Sequence, residues 1–324
     1  MDYYKIRELA YPYNYVVSIA AIFLSISGTT LNTLVLHIIL KNKWKKLSID
    51  LKLICFTLLF DLLSCFYIFT TGICNLVGYA DYLNSKFSCT INSIISIFTC
   101  VTSINIVGVV SLERYFLIVK EKVLCRKVYY MLILSIQLVN LISCIIGGVF
   151  GGFSISATSV FCMFNLNSWA GIAGDIILIL SVGTSINITY FSYINIIIKR
   201  RKLTLQNQKI FPFKSKKIKR EANSTIIKSV LIIIASTFTN IPFNVLLFIA
   251  LVNPKFLTPQ IQAICSTFTM LNMIINALIV LRLRTDIWNE FKEVIFIKND
   301  NSEADGSSID DYQLADIEVE LNNK

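Results

Sequence analysis

One acidic residue stands deep inside an apolar part of the sequence. Asp61 lies midway along an uncharged run, and no other acid or base is near it in the chain. An ionisable side chain inside the hydrocarbon of a membrane is costly, so it usually serves a function. The alternative interpretation is an acid that only joins two helices by a hydrogen bond. Asp61 is the first candidate functional residue.

A second group of charges closes the third apolar run and reads Glu113-Arg114-Tyr115. A basic residue at the end of a membrane helix ordinarily extends its charge to the membrane surface. The tripeptide alone is therefore weak evidence of function. Its position at the end of a predicted span makes it the second candidate site.

The elements that carry these residues are predicted to be membrane spans. The chain is 55% hydrophobic and 15% charged, with 12 Gly and 5 Pro. Such a composition excludes a disordered or collagen-like chain and is unusual for a soluble domain. Apolar runs long enough to cross about 30 Å of hydrocarbon occur at residues 15–40, 53–79, 87–112, 128–150, 172–198, 229–252 and 260–281. We predict an all-α membrane protein built as a seven-transmembrane helix bundle.

The distribution of Lys and Arg predicts the orientation of these spans. Of the 30 such residues, all but Lys5, Arg7, Lys86 and Lys255 flank the runs on one side. Loops rich in Lys and Arg stay in the cytosol. We therefore predict a plasma-membrane protein with its amino terminus outside and its carboxyl terminus in the cytosol. We attribute the net charge of +10 to basic loops that lie at the membrane surface. No nucleic-acid partner is expected.

Two features are expected on the outer side. The glycine-rich residues 147–152 mark the turn between the fourth and fifth runs. Cys89 and Cys162 both lie on the side where thiols oxidise, so they can form a disulfide between the third helix and this loop. Cys74 is near the same surface and is a rival partner.

The chain after the seventh run divides into two segments. An apolar stripe with helical spacing is formed by Ile287, Trp288, Phe291, Val294 and Ile295. It predicts a short amphipathic interfacial helix over residues 285–297. Residues 298–324 are acidic, lack apolar periodicity and are predicted to be disordered. Residues 1–14 then form an extracellular amino terminus, and residues 15–282 form the bundle.

The placement of these motifs resembles that of a rhodopsin-like (class A) G-protein-coupled receptor. The resemblance covers about residues 15–297 and rests on the motifs together. Asp61 resembles the family's second-helix aspartate, and Glu113-Arg114-Tyr115 resembles its acid-Arg-Tyr motif. Asn32 resembles the family's first-helix asparagine, and Pro242 resembles its sixth-helix proline. Asn276 resembles the asparagine of its seventh-helix motif.

The resemblance implies an allosteric sodium site. Its oxygen donors would be Asp61, Ser103, Asn272, Asn276 and Asn32. One carboxylate with several neutral oxygens suits a hard cation. The alternative is a polar cluster that only packs helices together.

The sequence departs from the family at several motif positions. Thr239-Asn240-Ile241-Pro242 stands where the family has Cys-Trp-x-Pro, so the aromatic switch residue is missing. Asn276-Ala277-Leu278-Ile279-Val280 lacks the Pro and the Tyr of the seventh-helix motif. The fourth run has no Trp and the fifth has no Pro. These losses put the usual activation relay in question.

The resemblance also implies how the protein would couple to its partners. Arg114 would be restrained by Glu113 and by Glu221 at the base of the sixth helix. Tyr193 of the fifth helix would reach the same arginine. A swing of the sixth helix about Pro242 would then admit a heterotrimeric G protein.

The inner loops and the tail suggest further partners. The serines of the acidic tail resemble targets of a receptor kinase and of arrestin. The basic third loop, residues 199–220, has two interpretations. It contacts the G protein, or it is a topology signal attracted to anionic membrane lipid.

The extracellular ligand is unknown, and its class can be narrowed only by exclusion. The seventh run contains no Lys, so a retinal Schiff base is not expected, and no covalent cofactor is expected. Ser96 stands where amine receptors carry an aspartate, which disfavours a biogenic amine. Lipids, odorants and peptides remain. The predicted pocket residues are Phe98, Asp175, Asn240, Asn244, Phe268 and Met270.

Two other classes of function compete with a receptor. An ion-coupled secondary transporter or channel would use Asp61 as its intramembrane carboxylate. Two features of the sequence disfavour this class: it shows no internal repeat, and only one proline lies within a span. An enzyme is not expected, because the single histidine, His37, has no plausible set of catalytic partners in the sequence.

Overall fold

The computed structural model describes residues 3–41, 44, 47–210 and 215–295, without the side chains of residues 215–218, 221 and 295. Over these residues, seven helices are long and apolar enough to cross a membrane. The predicted seven-helix bundle is confirmed. We call the side of the bundle that carries Arg114 the inner side, and the opposite side the outer side.

The helices within the described residues are, in chain order, α1 (Tyr3–Leu9), α2 (Tyr13–Leu40), α3 (Ile49–Val77), α4 (Asp81–Asn84), α5 (Lys86–Ser96), α6 (Thr102–Ile118), α7 (Arg126–Val149), α8 (Trp169–Ile210), α9 (Ser215–Val252), α10 (Pro259–Met270), α11 (Asn272–Leu283) and α12 (Thr285–Ile295). The first, second, fourth, fifth and sixth spans are α2, α3, α7, α8 and α9. The third span joins α5 to α6 through a π-helical turn, Ile97–Val101. The seventh span joins α10 to α11 through Leu271.

A short hairpin covers the outer side between the fourth and fifth spans. Its strands, β1 (Phe153–Ile155) and β2 (Cys162–Phe164), pair antiparallel. The chain enters the hairpin through Gly151, whose φ of +68° is one that glycine adopts without strain. A disulfide joins Cys89 of the third span to Cys162 of β2, so the predicted pairing is confirmed. Cys74, the rival partner, is a free thiol.

The amino-terminal helix α1 and the hairpin pack together over the outer ends of the spans, and we call them the outer cap. Asn75 of the second span donates to the Tyr3 hydroxyl at 3.3 Å and to the Ser159 carbonyl at 2.9 Å. Its own side-chain oxygen accepts from Ser18 at 3.1 Å. Burial raises the pKa of the Tyr3 phenol, so this contact stays uncharged. Arg7 of α1 adds a charged donor, because its guanidinium donates to the Asn75 carbonyl at 3.1 Å. The outer cap is thus held by one covalent bond and by hydrogen bonds to neutral acceptors, and the ion pairs of the described residues lie elsewhere.

A polar seam joins the third, fourth and fifth spans. Asn105 donates to Ser181 at 3.0 Å, and Ser181 donates to Asn140 at 3.0 Å. Ser185 donates to the Asn105 oxygen at 2.6 Å. Such bonds link helices in a membrane, where no hydrophobic force drives them together. The fifth span has no proline, and these bonds fix its position against the third.

The short helix after the seventh span is present as α12 (Thr285–Ile295). Its apolar stripe is only partly turned to the membrane. Ile287 and Phe291 are buried in a cluster with residues of the first, second and seventh spans, while Trp288 stacks on Phe291 with ring centroids 5.8 Å apart. The predicted disordered tail, residues 298–324, lies outside the described residues.

Candidate functional site

The structure brings three of the predicted residues together in the middle of the bundle. Asp61 is only 1% exposed. Ser103 donates to one of its carboxylate oxygens at 2.5 Å, and Asn276 donates to the other at 3.0 Å. Asn276 also donates to Ser103 at 3.2 Å. We call Asp61, Ser103 and Asn276 the polar core; it ties the second, third and seventh spans together.

The other two predicted sodium ligands make different hydrogen bonds. Asn32 donates to the backbone oxygens of Gly28 at 2.8 Å and Met273 at 2.7 Å, so it joins the first span to the seventh. Asn272 accepts from Thr239 of the sixth span at 3.4 Å. The seventh span is interrupted at Leu271, and Asn272 begins its second helix. The polar core is therefore smaller than the predicted five-residue set.

The donor set at the polar core fits a hard monovalent cation. Asp61 supplies a carboxylate, and Ser103 supplies a hydroxyl oxygen. Ser64 lies one turn beyond Asp61 on the same helix face, and its hydroxyl is buried without a hydrogen-bond partner among the described residues. Oxygen donors of this kind are those that hard cations take. Asn276 turns its amide nitrogen, not its oxygen, toward the carboxylate.

A cavity of about 130 Å³ extends from Asp61 toward the outer side. Its walls are mostly apolar side chains of the second, third, fifth, sixth and seventh spans, and residues 161–164 of the hairpin region line its outer end. Of the predicted pocket residues, Asn240, Asn244 and Met270 line it. Asn240 Oδ1 and Ser266 Oγ are buried in its wall without a hydrogen-bond partner among the described residues. We call this the outer cavity.

Three predicted pocket residues do not line the outer cavity, which corrects the sequence-based expectation. The π-helical turn adds a residue to one turn of the third span, so Phe98 is rotated outward. It packs edge-on against Phe60, with centroids 5.8 Å apart. Phe268 packs against Phe238 at 4.5 Å. Asp175 is buried outside the cavity lining, and neither carboxylate oxygen has a hydrogen-bond partner among the described residues.

The inner side holds a second site, centred on an acid that the sequence did not reveal. Arg114 Nη2 forms an ion pair and hydrogen bond with Asp50 Oδ2. Arg284, directly after the seventh span, donates to the same oxygen at 3.3 Å. We call Asp50, Arg114 and Arg284 the inner ion-pair cluster. It connects the second and third spans to the junction between the seventh span and α12.

Further acids surround this cluster. Glu113 Oε2 lies 3.6 Å from Arg114 Nε. Asp286 of α12 accepts from Arg284 at 3.4 Å. The side chain of Asp50 is only 7% exposed, whereas those of the two arginines are 24% and 28% exposed. The acid is therefore buried while both cations still reach water.

Asp50 was missed because its place in the sequence has an ordinary explanation. It lies in the first turn of the second helix, where a negative charge is favoured by the helix dipole. Nothing in the sequence marks Arg114 and Arg284 as its partners, because they are 64 and 234 residues away. The only indication in the sequence was that Asp50 lies at the start of a helix, on the side of the membrane where Lys and Arg are concentrated.

The remaining predicted residues occupy the inner half of the bundle. Tyr193 is buried with Ile118 and Val119, one turn beyond Arg114. Tyr115 is buried and lies against Phe191 of the fifth span, at a centroid distance of 5.3 Å. Pro242 lies inside the sixth helix. The side chain of Glu221, the predicted sixth-helix acid, lies outside the described residues.

A family model described as 7 transmembrane receptor (rhodopsin family) matches residues 31–279. The structure is similar to the crystal structure of squid rhodopsin, with a TM-score of 0.69 and 16% identity, over 96% of this chain and 91% of that one. At this identity the likeness shows the fold alone. Among curated proteins, none matches the sequence.

Proposed function

The chain belongs to the rhodopsin family of seven-transmembrane receptors, and from this premise we propose that it senses an extracellular ligand and promotes nucleotide exchange on a heterotrimeric G protein. The observation that supports this most is Arg114, held between Asp50 and Glu113 at the inner end of the third span. The inner side is then the cytosol of a plasma-membrane protein. Arrestin and a receptor kinase would act on the tail, residues 298–324.

The proposal assigns the inner ion-pair cluster to the resting state. While Asp50 holds Arg114, the arginine faces the second span and is not presented to a partner. Arg284 shares the same carboxylate oxygen, so the seventh span and α12 are held in the same arrangement. Charge-assisted contacts of this kind can be exchanged for others of similar strength. A G-protein helix end that binds Arg114 would replace Asp50 as its partner.

Ligand and G protein would be coupled through one change of arrangement. An outward movement of the sixth span about Pro242 would open the inner side. A ligand that binds this open arrangement better shifts the population toward it. By linkage, the G protein then strengthens ligand binding by the same factor. The sixth span is suited to this role because Asn240 lines the outer cavity two residues before Pro242.

The outer cavity supports a ligand that is uncharged and largely apolar. The ionisable residues that line the cavity are Asp61, Tyr67 and Cys100. Both carboxylate oxygens of Asp61 already accept hydrogen bonds. A charged ligand would therefore be desolvated without a partner. The unpartnered atoms of Asn240 and Ser266 would give a hydrogen bond to one or two polar groups on the ligand.

The proposed receptor activity is tested by nucleotide exchange. Membranes that hold the intact chain are assayed with a panel of G-protein heterotrimers, against Arg114→Ala and the control Arg126→Ala. Arg126 is an exposed cation on the same side. We expect exchange with at least one heterotrimer that Arg114→Ala abolishes and Arg126→Ala preserves, at equal surface expression. Exchange that is the same in all three chains would contradict the role of Arg114.

The ligand class is tested by a thermal-shift screen of neutral, cationic and anionic compounds. Leu247→Trp narrows the outer cavity, and Leu180→Trp is the control because Leu180 is 63% exposed on the fifth span. We expect stabilising compounds to be neutral and to lose their effect only in the Leu247→Trp protein. Charged compounds that act equally on both variants would contradict the proposal.

We also propose that the polar core binds a sodium ion. Asp61 and Ser103 would hold it, and the hydroxyl of Ser64 is the third oxygen nearby in the fold. The ion would favour the arrangement in which the second, third and seventh spans are joined. Replacing potassium by sodium should raise the melting temperature of the native chain and leave Asp61→Asn unchanged. A sodium effect that survives this change would exclude Asp61 as the ligand.

A further inference from the structure

A separate cleft lies on the inner side, between the sixth and seventh spans. Its volume is about 490 Å³, and it is lined by Lys219, Arg220, Asn223, Ser224, Ile227 and Arg282. None of these residues belongs to the polar core, to the outer cavity or to the inner ion-pair cluster. We call it the basic cleft.

The cations of the basic cleft have no ion-pair partner among the described side chains. Lys219, Arg220 and Arg282 are exposed, and the ion pairs of the described residues involve other cations. Three positive charges brought together on two helices repel one another. Their placement favours an anionic partner.

The order of the cleft residues along the sixth span matches the structure of a phospholipid, in which a charged headgroup precedes apolar acyl chains. On the sixth span, residues 219–220, 223–224 and 227 follow one another at intervals of about one turn, so they lie along one helix face. The cations come first, the neutral Asn223 and Ser224 follow, and Ile227 lies deepest and is 53% exposed. Charge therefore gives way to apolar surface in the direction of the hydrocarbon.

The two walls of the cleft are joined at its base. Lys228 of the sixth span donates to the backbone oxygen of Leu283 at 3.1 Å. Arg282 is the residue before Leu283, so its position relative to the sixth span is set by this contact. The cations are thus contributed by two spans that touch, and they do not depend on a single extended loop.

We propose that the basic cleft binds the headgroup of a membrane lipid that carries more than one phosphate. The guanidinium groups of Arg220 and Arg282 match the geometry of phosphate oxygens, and Lys219 adds a point charge. Asn223 and Ser224 offer hydrogen bonds to headgroup hydroxyls, and an acyl chain lies along Ile227. A single-phosphate lipid would leave part of the positive charge unmatched.

The test uses the full chain reconstituted in phosphatidylcholine nanodiscs that contain a photoreactive phosphatidylinositol bisphosphate. Cross-linked peptides are mapped, and binding is measured by competition with the unlabelled lipid. The test variant combines Lys219→Gln, Arg220→Gln and Arg282→Gln. The matched control combines Lys122→Gln, Arg126→Gln and Lys127→Gln, which removes the same charge from exposed positions on the same side.

We expect labelling of peptides around residues 219–227 and 282, binding at least about tenfold weaker in the test variant, and a change within about twofold in the control. A charge-preserving variant with Lys219→Arg, Arg220→Lys and Arg282→Lys should bind more tightly than the test variant and less tightly than the native chain, because lysine lacks the planar donors of arginine. Thermal unfolding checks that each variant is folded. Equal losses in the test and control variants, or labels elsewhere, would overturn the site. Equal competition by soluble inositol phosphate would show a free-phosphate site and would also overturn the proposal.

Discussion

The two ends of the bundle are held together by different kinds of interaction. On the outer side, a disulfide and hydrogen bonds to neutral acceptors join the hairpin, α1 and the second and third spans. On the inner side, ion pairs take that place, with Asp50 shared between Arg114 and Arg284. The polar core around Asp61 lies between the two ends.

The contacts of the outer end are therefore fixed, whereas the ion pairs of the inner end can exchange partners. A disulfide opens only by redox chemistry, and the neutral contacts of the outer cap are largely buried. An ion pair whose arginines still reach water can change partners, because another charge can replace the first at little net cost. We therefore expect loss of an outer contact to lower stability, and loss of an inner contact to change signalling.

The largest effect is expected when the outer disulfide is removed. Cys162→Ser should lower the free energy of unfolding by about 2–5 kcal/mol, since the bond closes a long loop in the unfolded chain. Denaturant unfolding in nanodiscs measures the change. Cys74→Ser, a free thiol on the same side, should stay close to native. Equal losses in the two variants would mean that the disulfide does not hold the outer end.

A smaller loss is expected at the centre of the neutral contacts. Asn75→Ala removes the hydrogen bonds to Tyr3, Ser18 and Ser159 and should cost about 1–3 kcal/mol, because buried partners are left unsatisfied. The same unfolding measurement applies. Basal nucleotide exchange should remain unchanged in the folded fraction. A clear rise in exchange would show that the outer cap also restrains signalling, which would remove the contrast between the two ends.

The smallest loss of stability, and the clearest change of activity, is expected at Asp50. Asp50→Asn should cost about 1–2 kcal/mol, because its arginine partners are partly solvated. Basal exchange should rise about fivefold, as expected for a shift of about 1 kcal/mol in a two-state equilibrium. Asp286→Asn, which changes an exposed partner of Arg284, is the control and should raise exchange less. Unchanged exchange in Asp50→Asn would exclude a restraining role.

Much of the fold could be predicted because the membrane restricts it. A helix must satisfy its backbone within the hydrocarbon, so apolar runs predicted the spans, and their ends differ from the structure mostly by a few residues. The fifth and sixth spans are the exceptions. The fifth continues as a helix to Ile210, beyond the predicted end at 198, and the sixth begins at Ser215, before the predicted start at 229. These inner turns are polar, and hydropathy does not register them.

Of the residues at the candidate sites, some were predicted from the sequence and others were not. Asp61 was found because a charged residue in an apolar run is rare, and Ser103 and Asn276 were found through the family resemblance. Phe98 was misplaced because a π-helical turn leaves no mark in the pattern of apolar residues. Asp50 was missed because residues far apart in sequence meet only after the bundle forms.

The central claim is that Asp50 holds Arg114 in the resting state, and a double-mutant cycle tests it without a ligand or a G protein. The free energy of unfolding is measured in nanodiscs for the native chain, Asp50→Asn, Arg114→Gln and the double variant. We predict a coupling of about 1 kcal/mol or more between the two positions, because close charge pairs are not additive. Effects that add to within about 0.3 kcal/mol would contradict the claim.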